Sequence, residues 1–213
     1  MLSKLYNLFV LKIIGRITFD GVMYFFKGKS YSLTKEDQTV IYKLLKKDNY
    51  IILIWRKSHL TSYLISLGHF LLTGSWAKYS HACINVEGNV EDITKVDIVE
   101  AIGKGVVRSE FFDVFNCDAV CLMKPKLFRQ NDWLAAIAEL NKHLDQKTQY
   151  DTVFNVKDDS KVSCIELVVD SLKESQEFNK FNHLNWMLKH YKNLTPQMLR
   201  DCNDFEVVLE IRR

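Results

Sequence analysis

The sequence predicts an α+β protein in which an antiparallel sheet packs against helices. Short apolar or alternating segments typical of strands are mixed with segments that carry an apolar stripe at helical spacing. These segments do not alternate regularly between strand and helix, so a doubly wound parallel sheet is not indicated. With 47% hydrophobic and 26% charged residues among 213, the chain has enough apolar side chains for one domain with a real core.

The start of the chain is predicted to be helical. Residues 2–26 place apolar side chains at every third or fourth position, and either Ser32 or Thr34 can cap a second helix over the sequence KEDQTVIYKLLKK. We therefore divide the chain into an N-terminal helical extension, residues 1–46, and a main domain, residues 47–213.

The N-terminal segment is both basic and apolar. Residues 1–60 hold eleven Lys or Arg and four Asp or Glu, about +7, whereas the rest of the chain carries about −4. This pattern fits contact with a membrane surface or an acidic partner, and it also fits a helix packed on the domain with its lysines in water. Lys12 and Arg16 interrupt the apolar stretch, and no small-residue cleavage site follows it. We therefore expect neither a transmembrane span nor a signal peptide, and a cytoplasmic or membrane-associated location.

The first half of the main domain predicts a strand, a helix and a hairpin. Residues 50–55 form a continuous apolar run, as in a buried strand, and residues 60–74 predict a helix that ends at a glycine. Residues 80–86 and 95–102 both alternate between apolar and polar positions, and a turn near Gly88 would join them as neighbouring strands.

The predicted hairpin carries two residues of chemical interest. His81 begins its first strand, on the face opposite the apolar residues. Glu100 lies on the apolar face of the second strand, where a carboxylate is costly unless it is paired.

The second half of the chain predicts further strands and helices. They are a strand at 118–125, a helix capped by Asn131 that runs to about Gln146, a helix from Cys164, short helices at 182–192 and from 195, and a strand at 205–211. In the last strand the apolar residues are expected on one face: Phe205, Val207, Leu209 and Ile211.

Cys164 stands in the first turn of its predicted helix, with Ser163 as the expected N-cap. The positive end of a helix favours a thiolate, a histidine can hold and return its proton, and a carboxylate can orient that histidine. His81 and Glu100 suit these two roles. A packed core thiol is the alternative, because free cysteine is among the most buried residue types. Five other histidines compete with His81: His59, His69, His143, His183 and His190.

The five cysteines do not resemble a disulfide framework, so a reducing compartment is expected. A zinc set of His81, Cys83, Cys117 and Cys121 is conceivable, but its spacing is not that of zinc ligands. The sequence has no phosphate-binding glycine loop and no basic stripe interleaved with aromatic residues outside the N-terminal segment. We therefore expect no metal, no cofactor and no nucleic-acid partner.

Three segments in order resemble a known family. The segments WAKYSHACINVEGN, IVEAIGKGVVRSEF and QYDTVFNVKDDSKVSCIELVVDSL resemble the circularly permuted branch of the NlpC-type papain-like superfamily, often called YiiX-like. The resemblance covers roughly residues 49–172. It implies a papain-like α+β fold in which the histidine strand precedes the cysteine helix, with extra N-terminal helices in this chain.

The resemblance also implies roles for individual residues. Cys164 would be the nucleophile, His81 the base and acid, and Glu100 the residue that orients His81. Tyr150 matches a family tyrosine near the nucleophile that helps to bind the oxyanion. Glu166 matches a motif glutamate for which a structural contact and a catalytic role are both open. Two positions beside the nucleophile depart from the family: Ser163 replaces an aromatic residue and Ile165 replaces a serine.

The expected function is that of a cysteine amidase or peptidase acting on cell-wall peptide (peptidoglycan) or a similar small amide. One alternative is a membrane-associated lipid acyltransferase or thioesterase, suggested by the basic and apolar residues 1–30. Another is a non-enzymatic structural module of a larger assembly, such as a phage particle. The expected partners are a peptide or acyl substrate and, through residues 1–30, a membrane surface or another protein.

Overall fold

The computed structural model describes residues 32–86, 92–151 and 160–213. The helix predicted at 2–26 and the turn predicted near Gly88 lie outside these residues. The described elements, in chain order, are α1 Lys35–Leu45, β1 Ile51–Trp55, α2 Leu60–Thr73, β2 His81–Asn85, a 3₁₀ turn Ile93–Lys95, β3 Ile98–Ile102, β4 Gly105–Ser109, α3 Phe111–Phe115, β5 Ala119–Pro125, α4 Gln130–Asp145, β6 Gln149–Tyr150, β7 Lys161–Val162, α5 Cys164–Lys173, a 3₁₀ turn Phe178–Lys180, α6 Asn182–His190, α7 Pro196–Arg200 and β8 Phe205–Arg212.

Six of the strands form one antiparallel sheet in the order β4-β3-β2-β1-β5-β8. The strands β6 and β7 form a separate parallel pair. The mixed α+β class and the antiparallel sheet predicted from the sequence are therefore confirmed.

Helices cover both faces of the sheet. Successive side chains of a strand point to opposite faces, and every position from Ile51 to Ile54 is buried, so β1 supplies apolar side chains to two cores. Ile51 and Leu53 belong to the core that contains α4 and α5, whereas Ile52 and Ile54 belong to the core that contains α1 and α3. This arrangement explains why β1 reads as a continuous apolar run rather than an alternating one.

Helix α1 packs on the second face of the sheet. Its residues Ile41 and Leu45 are fully buried in that core. Thr34 caps the helix, as predicted, and forms a capping box with Asp37, which also accepts hydrogen bonds from Arg213 at the other end of the chain. The described part of the N-terminal extension thus shares a core with the main sheet.

Two details of the sequence prediction were wrong. Helix α4 begins at Gln130, one residue before the predicted cap Asn131, because Asp132 accepts a hydrogen bond from the backbone of Arg129 and fixes the helix start there. In β8 the pairing with β5 shifts between Leu122 and Met123, which is the signature of a β-bulge.

The bulge divides the predicted apolar face of β8. Leu209 and Ile211 pack on the core that contains α1, whereas Phe205 packs on the core that contains α5. One extra residue reverses the direction of every side chain beyond it, so strict alternation could not predict the face.

Candidate active site

The sheet places His81 and Glu100 on one face of two neighbouring strands. Cys83 lies opposite Glu100 in the register of β2 and β3, so His81, two residues earlier, is its diagonal neighbour on the same face. The Nε2 atom of His81 donates a hydrogen bond to Oε2 of Glu100 over 2.6 Å. The Ser109 hydroxyl donates to the other carboxylate oxygen. Both oxygens of this buried carboxylate are therefore paired, which is how an acidic residue is tolerated on an apolar face.

The hairpin opens at the end where His81 lies. The ladder between β2 and β3 runs from Asn85–Ile98 to Cys83–Glu100, while β3 stays paired to β4 as far as Ile102–Gly105. No pairing with β3 is formed by Ala82 or His81 among the described residues. The beginning of α5 packs against β2 and β3, and Cys164, its first residue, is in the same core cluster as Ala82.

The local sequence fixes the start of α5. The Ser163 side chain accepts a hydrogen bond from the backbone N–H of Glu166 at 3.3 Å, and Oε2 of Glu166 accepts one from the backbone N–H of Ser163 at 2.7 Å. Ser163 is therefore the N-cap, as predicted, and Glu166 closes a capping box. This contact gives Glu166 a structural role, holding the turn that carries Cys164. Burial raises the pKa of its carboxyl.

The His81 ring interacts with both Cys164 and Glu100. Burial lowers the pKa of His81, but its interactions with Cys164 and then with Glu100 together raise it to about 9. Burial raises the pKa of Glu100, and the hydrogen bond and charge of His81 outweigh it, lowering the pKa to about 2. Since Nε2 is bonded to Glu100, Nδ1 is the ring nitrogen left for Cys164. The arrangement is a positively charged imidazole between the Cys164 sulfur and the Glu100 carboxylate.

A second set of contacts brings Tyr150 close to Cys164. Its strand β6 pairs with β7, which leads directly into Cys164, and the N–H of Val106 donates to the carbonyl of Thr148 over 2.9 Å. Gly105 makes this approach possible: its φ is +102°, and a Cβ there would lie 2.6 Å from the same carbonyl oxygen. Burial, followed by the negative charges of Cys164 and Glu166, raises the pKa of Tyr150 well above its usual value. Its hydroxyl therefore keeps its proton.

The competing histidines make other contacts. Four of them lie in other hydrogen bonds: His69 with Thr195, His143 with Thr148, His183 with the backbone N–H of Asn203, and His190 with the carbonyl of Trp186. His59 is different, because burial, Arg56 and His81 lower its pKa to about 4, so it is a neutral neighbour of the site. Sequence reasoning missed this proximity, although His59 follows the strand that pairs with β2.

The other four cysteines do not assemble a metal site. Cys83 and Cys117 lie in the core that contains α1, whereas Cys121 lies on the opposite face of the sheet. Within residues 32–86, 92–151 and 160–213, no three His, Cys, Asp or Glu residues are grouped to hold a metal ion. Burial raises the pKa of each of these thiols, to about 12 for Cys117, Cys121 and Cys202, and well above the usual value for Cys83.

Comparisons with models of known protein families, with curated proteins and with solved structures gave no match. The resemblance to the permuted NlpC-type enzymes therefore depends on the three sequence segments that carry it. An imidazole that lies between a cysteine sulfur and a carboxylate has the groups that activation of a cysteine nucleophile requires.

Proposed function

We propose that the protein is a cysteine hydrolase of the amidase or peptidase type, with Cys164 as nucleophile, His81 as acid and base, and Glu100 as the residue that orients His81. The observation that supports this most is the His81 ring, which interacts with the Cys164 thiol while its Nε2 is bonded to Glu100 at 2.6 Å. We further propose that the fold is the permuted papain-like one. The chain order of the histidine strand, the glutamate strand and the cysteine helix supports it.

The first half of the reaction forms an acyl-enzyme. The Cys164 thiolate attacks the carbonyl carbon of the amide, and the carbonyl π electrons move to its oxygen. When this tetrahedral adduct collapses, the carbon–nitrogen bond breaks and the leaving amine takes the proton from the His81 imidazolium. The products are a thioester on Cys164 and a free amine.

The second half releases the acid. His81, now neutral, takes a proton from a water molecule as that water attacks the thioester carbon. The carbon–sulfur bond breaks, the carboxylic acid leaves, and the thiolate and imidazolium are restored. Glu100 holds the ring in one orientation throughout and stabilises its positive charge.

Two groups are suited to the negative oxygen of the tetrahedral adduct. The amides of Cys164 and Ile165, in the first turn of α5, have no acceptor one turn earlier in the helix, whereas that of Glu166 donates to the Ser163 side chain. The Tyr150 hydroxyl keeps its proton because burial and the charge of Cys164 raise its pKa. We assign oxyanion binding to these donors.

The proposed substrate class is cell-wall peptide or another small amide, which the family resemblance implies. The site favours amide hydrolysis over simple thiol binding, because an imidazolium is needed to protonate a poor leaving group such as an amine. An ester or thioester substrate would depend much less on that proton.

The test is to trap the acyl-enzyme. The full chain is incubated with a panel of activated peptide esters and peptidoglycan fragments, quenched in acid and analysed by intact mass and peptide mapping. We expect an acyl adduct on Cys164, no adduct in Cys164→Ala, and an unchanged adduct in Cys202→Ala, a control at another buried thiol. Full turnover by Cys164→Ala would disprove the proposal.

A further inference from the structure

Helix α2 buries its polar face and exposes its apolar face, the reverse of an ordinary surface helix. Such a helix buries its apolar stripe and exposes polar residues. In α2 the buried positions are instead Ser62, Ser66, Gly68 and His69. None of its fourteen residues is charged.

The polar face of α2 is satisfied inside the protein. Its side chains are hydrogen-bonded as follows: Ser62 with Ser80 at 2.7 Å, Ser66 to the carbonyl of Ala77 at 2.9 Å, and His69 Nδ1 with Thr195 at 2.8 Å. These contacts lock the rotation of the helix, because turning it outward would leave buried hydrogen-bonding groups unpaired.

The outer face of α2 is a continuous apolar stripe. Its members within the helix recur at i, i+3, i+4 and i+7 and are Leu60, Tyr63, Leu64, Leu67, Phe70 and Leu71. Trp76 extends the stripe beyond the end of the helix. Within the described residues, none of these six belongs to or packs against either core cluster. Tyr63 is 50% exposed and Trp76 is 59% exposed, and the Trp76 ring stacks on Phe70 at 4.7 Å.

The charged residues next to this stripe in the chain are all basic, and Asp201, whose charge acts on His69, is paired with Arg200. Residues 49–86 contain no Asp or Glu, and their three basic residues stand at the two ends of the helix: Arg56, Lys57 and Lys78. Lys57 and Lys78 are exposed. An apolar stripe flanked by cations is complementary to a bilayer that has an apolar interior and anionic head groups.

We propose that the outer face of α2, Leu60 to Leu71 together with Trp76, docks the protein on an anionic lipid surface. The face is convex and about 21 Å long, so it can enter the head-group region rather than receive a partner in a groove. Tyr63 and Trp76 are of the amphipathic type that settles at membrane interfaces. None of the helices in the described part of the chain is long and apolar enough to cross a bilayer.

Docking through α2 places the candidate active site next to the lipid surface. The helix starts directly after His59, and its Ser62 is hydrogen-bonded at 2.7 Å to Ser80, the residue before His81. A substrate held at a membrane would therefore meet Cys164 without the enzyme leaving the surface. The docking itself does not depend on the proposed reaction, so Cys164→Ala should bind vesicles as the unmodified protein does.

Tryptophan fluorescence tests the orientation of the full chain on vesicles. Residues 1–31 contain no tryptophan, so quenching by brominated phosphatidylcholine mixed with phosphatidylserine reports on the main domain. We expect quenching in the unmodified protein that falls in Trp76→Phe and is retained in Trp186→Phe, a control at an exposed tryptophan on α6. The quenching that remains in Trp76→Phe would come from Trp55, whose ring contacts Tyr63 at 5.4 Å. Vesicle binding without Trp76 quenching would overturn the proposal, because another surface would then be responsible.

Vesicle sedimentation tests the energetic contribution of the stripe. The double variant Tyr63→Ser, Phe70→Ser should lower partitioning to phosphatidylserine vesicles by about tenfold or more, since two large apolar side chains no longer leave water. Leu134→Ser, which removes an exposed apolar side chain of α4, should leave it unchanged. Equal loss in both variants would overturn the proposal.

Light scattering and deletion of residues 1–31 distinguish lipid docking from two other occupants of this face, a second copy of the chain and the segment 1–31. A dimer in solution that the double variant converts to a monomer, with no vesicle binding, would assign the face to a second copy. Quenching of Trp76 that appears only after residues 1–31 are deleted would assign it to that segment. Either result contradicts docking by the intact protein.

Discussion

His81 and Glu100 are joined diagonally across β2 and β3 where the ladder between these strands ends. The position serves two purposes. Pairing through Cys83–Glu100 fixes the carboxylate, and the opening beyond it leaves the other edge of the imidazole to Cys164. A fully paired hairpin would hold the same ion pair but would give the helix less room to approach the ring.

The first prediction concerns Glu100→Gln. Removing the carboxylate charge should lower the pKa of His81 below about 9, and by less than the loss of Cys164 would, because Cys164 contributes more than Glu100 to raising it. NMR titration of the imidazole measures this directly, and alkylation of Cys164 at neutral pH should slow, because the imidazolium beside its sulfur is less favoured. Ser109→Ala, which removes only a hydrogen bond to Glu100, should have the same direction and a smaller effect. An unaltered His81 titration in Glu100→Gln would contradict the ion pair.

The same pair predicts how stability depends on pH. Because the pKa of His81 is raised in the folded protein, its protonation contributes to the free energy of unfolding. This contribution is full below pH 6.5, the pKa of His81 in the unfolded chain, and is lost as pH rises through about 9. The lowered pKa of Glu100 gives stability that is complete above 4.5 and is lost as pH falls through about 2. The difference in free energy of unfolding between the unmodified protein and Glu100→Gln should therefore be largest between pH 4.5 and 6.5. Chemical denaturation across pH measures this difference. A difference that grows towards pH 9 would contradict the ion pair between His81 and Glu100.

We expect iodoacetamide to alkylate Cys164 before the other four cysteines. Burial raises the pKa of the other four thiols, so at neutral pH iodoacetamide should modify Cys164 first. His81→Ala should slow the modification of Cys164, because the thiolate loses its cationic partner. His59→Ala is the matched control: its pKa of about 4 makes that histidine neutral, and its removal should change the rate little. Peptide mapping after timed quenching measures each site, and equal labelling of Cys164 and Cys202 would refute the expectation.

The sequence predicted five of the six strands of the sheet because they are short and bounded by clear signals, and it missed β4, Gly105–Ser109. The continuous run in β1, the alternation around His81 and the Ser163 cap all depend on local side-chain spacing, which a sequence displays directly. The convergence of His81 and Glu100 followed from the hairpin and from the cost of an unpaired carboxylate in an apolar stripe.

Other features depend on contacts that local spacing does not carry. The bulge in β8 comes from its pairing with β5, and no residue of β8 is a glycine that would signal it. The reversal of α2 depends on distant partners such as Thr195, and the apolar stripe alone predicts burial. The proximity of His59 to His81 arises because β1 and β2 are neighbours in the sheet.

Two substitutions of Glu166 distinguish a structural role of this residue from a catalytic one. Glu166→Gln should keep nearly full activity and stability, because an amide oxygen can accept the same hydrogen bond from the Ser163 N–H. Glu166→Ala should destabilise the fold by about 1 kcal/mol, since the capping box is lost. Thermal denaturation and the hydrolysis rate are measured together. A Gln variant that is stable but inactive would show that the carboxylate takes part in the reaction.

Tyr150→Phe tests oxyanion binding apart from thiolate formation. Removing one hydrogen-bond donor to the oxyanion lowers kcat by about 10²-fold in other hydrolases, and we expect a loss of that order here. Alkylation of Cys164 by iodoacetamide develops no oxyanion, so its rate should change far less. Tyr191→Phe, at a tyrosine that contacts Trp186 instead, is the matched control. Equal losses of hydrolysis and alkylation in Tyr150→Phe would mean that the tyrosine supports the thiolate or the local packing, and the oxyanion would then be left to the amides at the start of α5.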